Sequence, residues 1–121
     1  MFGIVVDSAA SLPLAALAAV LIATPDPPAV AGLACMIANG GQGNAPVYHD
    51  PTSGVVANRS MPVVLAVLAP SGEVEARAGR VRIRTPSNHE GWVDARLLRP
   101  YPGCTPVMMR DPAGRLLLGF K

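Results

Sequence analysis

The chain has 121 residues, 12 of them Gly and 13 Pro, with only 15% charged and 4% aromatic. That length gives room for one domain, and so many turn formers exclude a helical bundle in favour of short strands joined by tight turns. The net charge of +2 is too dilute to argue for a nucleic-acid partner, which wants a concentrated basic stripe with stacking aromatics.

The first element is an apolar block, Leu12–Ala23. As a helix it would reach roughly 18 Å, short of the roughly 30 Å hydrocarbon core of a bilayer. Pro25, Pro27 and Pro28 end it, and Ala29-Val30-Ala31 then supplies the small-x-small pattern that signal peptidase accepts. Residues 1–31 are therefore expected to be a cleaved signal-peptide helix, which leaves no stable membrane span and a periplasmic or secreted protein. The segment Met1–Ser11 lacks the basic residues usual in such leaders, so a buried N-terminal helix is the competing reading. A second competitor is lipidation at Cys35, because Gly32-Leu33-Ala34-Cys35 has a loose likeness to a lipobox. Removing 1–31 leaves ten basic and six acidic residues, a net charge of +4, which suits anionic wall polymers or lipid headgroups.

Cys35 and Cys104 are the only cysteines, and an even count in an exported chain points to a disulfide. Small barrels bring their ends together, and closing a loop of about 70 residues would contribute roughly 4 kcal/mol. Two Cys and two His without close ligand spacing do not make a zinc site, so neither a metal nor any other cofactor is expected. Residues 32–44, with Asn39-Gly40-Gly41-Gln42-Gly43-Asn44, read as a flexible lead-in.

Short extended pieces follow at Pro46-Val47-Tyr48, before the turn ending in Gly54, and at Val55–Asn58. Val63-Val64-Leu65-Ala66-Val67 has the β-branched, Pro-bounded form of a buried strand. The clearest pattern is the pair Glu73–Arg77 and Arg80–Arg84, where charged and apolar residues alternate so that each strand has one wet and one dry face. A two-residue turn at Ala78-Gly79 places Arg77 opposite Arg80, Glu75 opposite Arg82 and Glu73 opposite Arg84. Two of these three pairs are complementary, so the arginines read chiefly as solvated strand partners. Gly91–Ala95 and Arg96–Tyr101 come next. A last hairpin, with Val107-Met108-Met109 and Leu116-Leu117-Leu118 about a turn at Asp111-Pro112-Ala113-Gly114, closes the chain. The fold class expected is all-β: a small barrel of about five to seven short strands over residues 45–101, with 102–121 as a C-terminal β-hairpin extension.

The stretch from Ala45 to Tyr101 resembles the bacterial SH3 (SH3b or SH3-like) domains. The resemblance is carried by Pro46-Val47-Tyr48, Gly54-Val55-Val56, Val63–Val67, Val81-Arg82-Ile83-Arg84, and above all by Glu90-Gly91-Trp92-Val93-Asp94-Ala95-Arg96-Leu97-Leu98. It implies an SH3-like barrel and a non-enzymatic module of the periplasm or cell surface that binds peptidoglycan or a peptide. Two departures bear on the binding face: the first strand reads Val47-Tyr48-His49-Asp50-Pro51, and Ser71–Gly79 is longer than a minimal member needs.

Convergent catalytic groups are missing from the sequence pattern. His49-Asp50 and His89-Glu90 are adjacent pairs beside turns, and neighbouring strand residues face opposite ways. The expected ligand-binding residues are the amphipathic rings of Tyr48, Trp92 and Tyr101 along one shallow groove, with His49 or Arg99 at its rim. Trp92 also has a plain alternative as the largest core residue. Three functions are open: a binding module for a cell-envelope ligand; a subunit or inhibitor that docks on another exported protein; and a nucleic-acid-binding barrel of the OB kind.

Overall fold

The computed structural model describes residues 26–121. The leader-like block Leu12–Ala23 lies outside the described residues. Among the described residues there are ten strands: β1 Leu33–Ala38, β2 Pro46–Tyr48, β3 Val56–Arg59, β4 Val63–Val67, β5 Ala76–Arg77, β6 Arg80–Arg84, β7 Glu90–Asp94, β8 Leu98–Pro100, β9 Pro106–Arg110 and β10 Leu116–Phe120. The only helical elements among the described residues are short 3-10 turns at Asn39–Gly41 and Ala95–Leu97. The all-β expectation holds.

Eight strands form one antiparallel sheet in the order β3-β2-β7-β6-β4-β1-β8, with β5 paired to β6 at the side. Among the described residues no ladder joins β3 to β8, so a closed barrel is not formed by hydrogen bonding. The sheet nevertheless curls around one interior. Val47 of β2, Val64 and Ala66 of β4, Val81 and Ile83 of β6, Val93 of β7 and Leu98 of β8 meet in a single buried cluster. Such alternation puts every second side chain inward.

The segment expected to be a flexible lead-in contains a strand paired on both sides instead. β1 pairs with β4 over Leu33–Ile37 and with β8 over Met36–Ala38. Its physical basis is that both faces of β1 and β4 are covered. Ala38, Val64 and Ala66 face the interior, while Cys35 and Leu65 face a second buried cluster with Leu118. A strand covered on both faces reads as a continuous apolar run rather than an alternating one.

The cover on the outer face is the C-terminal hairpin, β9–β10, which forms its own two-stranded sheet. It is tied to β1 by the Cys35–Cys104 disulfide, whose ends are 69 residues apart. It is also tied along its outer edge by residues of the expected leader. Val30 N–H donates to the Pro106 carbonyl at 2.9 Å, Met108 N–H donates to the Pro28 carbonyl at 3.0 Å, and Ala29 bridges Val107. The leader boundary expected after Ala31 thus falls immediately behind a paired segment.

The β5–β6 hairpin has the register read from its charges: Arg77 faces Arg80 and Ala76 faces Val81. Glu75 lies opposite Arg82, whose guanidinium meets both Glu75 and Glu90, at 3.0 and 2.9 Å. The expected Glu73–Arg84 pair is not formed, because Val74 turns away to bridge Leu68. Arg84 instead lies opposite Glu90.

Candidate functional site: an apolar cleft under the C-terminal hairpin

A cavity lies where β4 and β6 part. These strands pair only at Leu65–Arg84 and Ala66–Ile83, so their far ends diverge. A cleft of about 510 Å³ occupies the gap. One wall comes from residues 58–62 leading into β4, another from Ile83–Pro86, and the roof from Leu117–Phe120 of β10. The roof is pinned at one point by Leu118 N–H, which donates to the Pro86 carbonyl at 2.8 Å. A volume of this size falls within the roughly 300–1,000 Å³ of ordinary small-ligand sites.

The lining is apolar, with Val47, Val63, Val64, Leu65, Ile83 and Leu118 in the walls and floor. Met61, Met109 and Phe120 also line the cleft yet remain exposed, Met61 at 60%. Unbranched methionine adapts its shape to what it touches. A Cβ at Gly119 would meet the Met109 methyl group, the far end of a flexible side chain that can move aside. The charged residues of the lining are Arg59 and Arg84, and the lining contains no carboxylate. Arg59 donates weakly to the Asn44 carbonyl at 3.4 Å. Neither arginine has an ion-pair partner among the described residues.

The five residues singled out from the sequence do not line one groove. Tyr48 and Trp92 are register partners across β2 and β7, but both rings are covered. The Arg80 guanidinium lies 3.5 Å from the centre of the Tyr48 ring, and that of Arg77 lies 5.8 Å from the centre of the Trp92 ring. Trp92 is only 4% exposed, in keeping with its reading as a packing residue. His49 is exposed beside the turn that follows β2. Arg99 sits on β8, four places along the sheet from β7, and donates to the Leu98 carbonyl at 3.0 Å and the Arg96 carbonyl at 3.3 Å. Tyr101, partly exposed, lines a separate cavity of about 140 Å³ with Phe120 and Lys121. Phe120 is therefore shared by the two cavities.

The acidic–histidine neighbours have structural partners. Asp50 accepts from the N–H groups of Thr52 and Ser53, and these donors hold its carboxyl below the usual carboxylate range. His89 Nδ1 lies 3.0 Å from Ser87 Oγ. The hydrogen bond from Arg82 to Glu90 holds the Arg82 pKa above its ordinary value. Among the described residues no three His, Cys, Asp or Glu side chains gather as metal ligands would.

The sequence carried one signal toward the cleft, the paired apolar runs Val63–Val67 and Leu116–Leu118. Their being opposite walls of one cleft depends on contacts between residues more than 50 positions apart, which no local pattern encodes. Compared with known proteins, the chain matches no family model, no curated protein and no solved structure.

Proposed function

We propose that the chain is an exported, non-enzymatic binding module of the cell envelope, and that its ligand seat is the cleft between the sheet and the C-terminal hairpin. The observation that carries this reading is the cleft itself, an apolar cavity of about 510 Å³ with Arg59 and Arg84 as the charged residues of its lining. The Cys35–Cys104 disulfide supports the extracytoplasmic part, since such bonds persist chiefly in oxidising compartments. The SH3-like reading of residues 45–101 is part of the proposal. It is supported by the antiparallel, curled sheet and by the close approach of Gly91 to Val47 and Ile83.

The test is co-sedimentation of the oxidised full chain with isolated cell envelope. Binding is expected, with loss on Phe120→Asp at the exposed cleft rim and retention on His49→Ala on the turn after β2. Retention by Phe120→Asp and loss by His49→Ala would place the ligand on the aromatic side instead. No sedimentation of any variant would end the envelope reading.

A second reading rests on a different feature. All four residues of β3 are exposed, and β3 is an edge of the sheet. An edge strand offers unpaired backbone groups to a partner's strand, which suits a subunit or inhibitor of another exported protein. Recovery of one stoichiometric protein partner, lost on Val56→Pro, would favour it. The nucleic-acid alternative has less support, because Arg80 and Arg82 of the basic hairpin are engaged in ion pairs with Asp94, Glu75 and Glu90.

A further inference from the structure

We infer that the cleft takes a single-chain fatty carboxylate, its hydrocarbon tail between β4 and β10 and its headgroup on Arg59 and Arg84. This rests on the binding-module reading above and names the ligand class for the same site.

Three features of the cleft lead there. The first is what the lining cannot offer. Val63, Val64, Leu65, Ile83 and Leu118 present hydrocarbon, and the side-chain oxygens of the polar lining residues Asn58, Ser60 and Thr85 already accept from the backbone N–H groups of Arg59, Ala45 and His89. A peptide buried against them would bring one N–H and one C=O per residue, each costly when left unpaired away from water. A hydrocarbon tail carries no such groups and fills the same space by apolar burial alone, at roughly 25 cal/mol per Å² removed from water.

The second is the charge of the lining. Arg59 and Arg84 are the charged residues of the lining, which holds no carboxylate; Glu90, the register partner of Arg84, makes its ion pair with Arg82, and neither lining arginine has an ion pair among the described residues. Elsewhere on the same hairpin the pattern differs: Arg80 and Arg82 both have acidic partners. A guanidinium presents a planar fork that matches a carboxylate with two parallel hydrogen bonds. The two guanidiniums, neither of them in an ion pair, therefore favour an anionic headgroup and disfavour a cationic one.

The third is size and adaptability. At about 510 Å³ the cleft sits in the lower half of the small-ligand range of roughly 300–1,000 Å³, which suits one tail and not two. The exposed methionines Met61 and Met109 sit at its rim, where flexible thioethers can close over tails of differing length.

The experiment is calorimetric titration of the oxidised full chain with hexadecanoate below its aggregation threshold, beside hexadecan-1-ol as the uncharged counterpart. One-to-one saturable binding of hexadecanoate is expected, at least tenfold tighter than that of the alcohol. Replacing both arginines (Arg59→Gln with Arg84→Gln) should remove that tenfold preference and leave alcohol binding unchanged. Filling the cleft by Leu117→Trp should abolish both. Because Leu117 is half-buried, Met61→Trp at the exposed rim is a second blocking variant whose folding is not at risk.

Equal affinity for acid and alcohol would overturn the inference. So would acid binding that survives both blocking variants, or several equivalents bound without saturation. If hexadecanoate fails to bind while envelope binding persists and is lost on Phe120→Asp, the fatty-carboxylate assignment falls and the binding module stands. If both fail, both readings fall.

Discussion

Arg80 lies flat on Tyr48, with its guanidinium carbon 3.5 Å from the centre of the ring. The same side chain donates from Nη1 to the carbonyls of Asp50, at 3.1 Å, and Ser53, at 2.6 Å, and its Nε is 3.5 Å from Asp94. One residue of β6 thus holds the turn after β2 against β7. The arrangement needs a planar cation with several donors in fixed directions, which lysine cannot supply. Arg80→Lys is expected to lower the unfolding free energy by about 1–2 kcal/mol, the scale of a partly desolvated cation–π contact with its hydrogen bonds. Urea unfolding would show this as a lower midpoint at unchanged slope.

The turn that Arg80 grips is expected to respond to pH. Asp50 accepts from the Thr52 and Ser53 N–H groups, which hold its carboxyl below the usual carboxylate range, with the Arg80 charge adding to the effect. A carboxyl whose folded pKa is depressed contributes its stabilisation at neutral pH and loses it as pH falls through the folded value. The amide resonances of Thr52 and Ser53 should therefore titrate with a midpoint below that of an unperturbed aspartate. In Asp50→Asn the acid transition should vanish from those two amides while the rest of the spectrum is kept. A midpoint at the ordinary value would show that the turn does not depend on the charge.

Ala78 carries a backbone cost that can be removed. The turn joining β5 to β6 has φ of 53° at Ala78 and 78° at Gly79, the pair of left-handed residues of a type I′ hairpin turn. Gly79 adopts this freely, but a left-handed conformation costs an alanine roughly 1–2 kcal/mol. Asn-Gly is the favoured sequence for this geometry, so Ala78→Asn should stabilise the protein by about 0.5–1 kcal/mol. Thermal unfolding of the two proteins side by side would decide it, and a neutral or destabilising result would show that this turn is not type I′ in solution.

This hairpin was the most legible part of the fold, and the reason is physical. Its charged and apolar residues alternate because one face is wet and one dry, so the register of Arg77 with Arg80 follows from the sequence alone. β1 was not legible. Leu33–Ala38 contains three alanine or cysteine positions and one β-branched residue, and its strand state is imposed by neighbours on both sides, β4 and β8. Tyr48 and Trp92 were found as aromatics, but their covering by Arg80 and Arg77 depends on a cross-strand layer of cations and rings that spacing alone does not reveal. The disulfide was legible from the cysteine count. The cleft was not, since its walls come from residues 58–65, 83–86 and 117–120.

Gly91 is required for a packing reason and not a conformational one. A Cβ at this position would stand 2.6 Å from Val47 Cγ1 and 3.6 Å from Ile83 Cγ1. Both neighbours are buried in the main core and cannot swing aside as a long side chain would. Gly91→Ala should therefore cost about 1–3 kcal/mol by overpacking. Its coupling to Val47 supplies the check. In a Val47→Ala background the added methyl has room, so the penalty of Gly91→Ala should fall by about 1 kcal/mol or more, as expected for residues that share one space. Strict additivity would place the cost elsewhere.

The N-terminal segment makes the last prediction, because it sets the fold against the expected cleavage after Ala31. Pro28–Val30 run along the outer edge of β9 through one isolated bridge, Ala29 to Val107, in which Met108 N–H donates to the Pro28 carbonyl and Val30 N–H to the Pro106 carbonyl. Val30 packs on the cluster that joins Cys35, Leu65 and Leu118, and Asp26 pairs with Lys121 at 3.3 Å. The exposed ion pair adds little, but two backbone hydrogen bonds and a half-buried valine together stabilise by roughly 2–3 kcal/mol. A chain beginning at Asp26 should exceed one beginning at Gly32 by that amount in urea. The Met108 amide, protected from hydrogen exchange in the longer chain, should exchange freely in the shorter one, because cutting after Ala31 unpairs the outer edge of β9. The protein recovered from an exporting host should accordingly have an intact mass that places its first residue at or before Pro28. A first residue at Gly32, with Met108 still protected, would mean that β9 holds its edge without this segment.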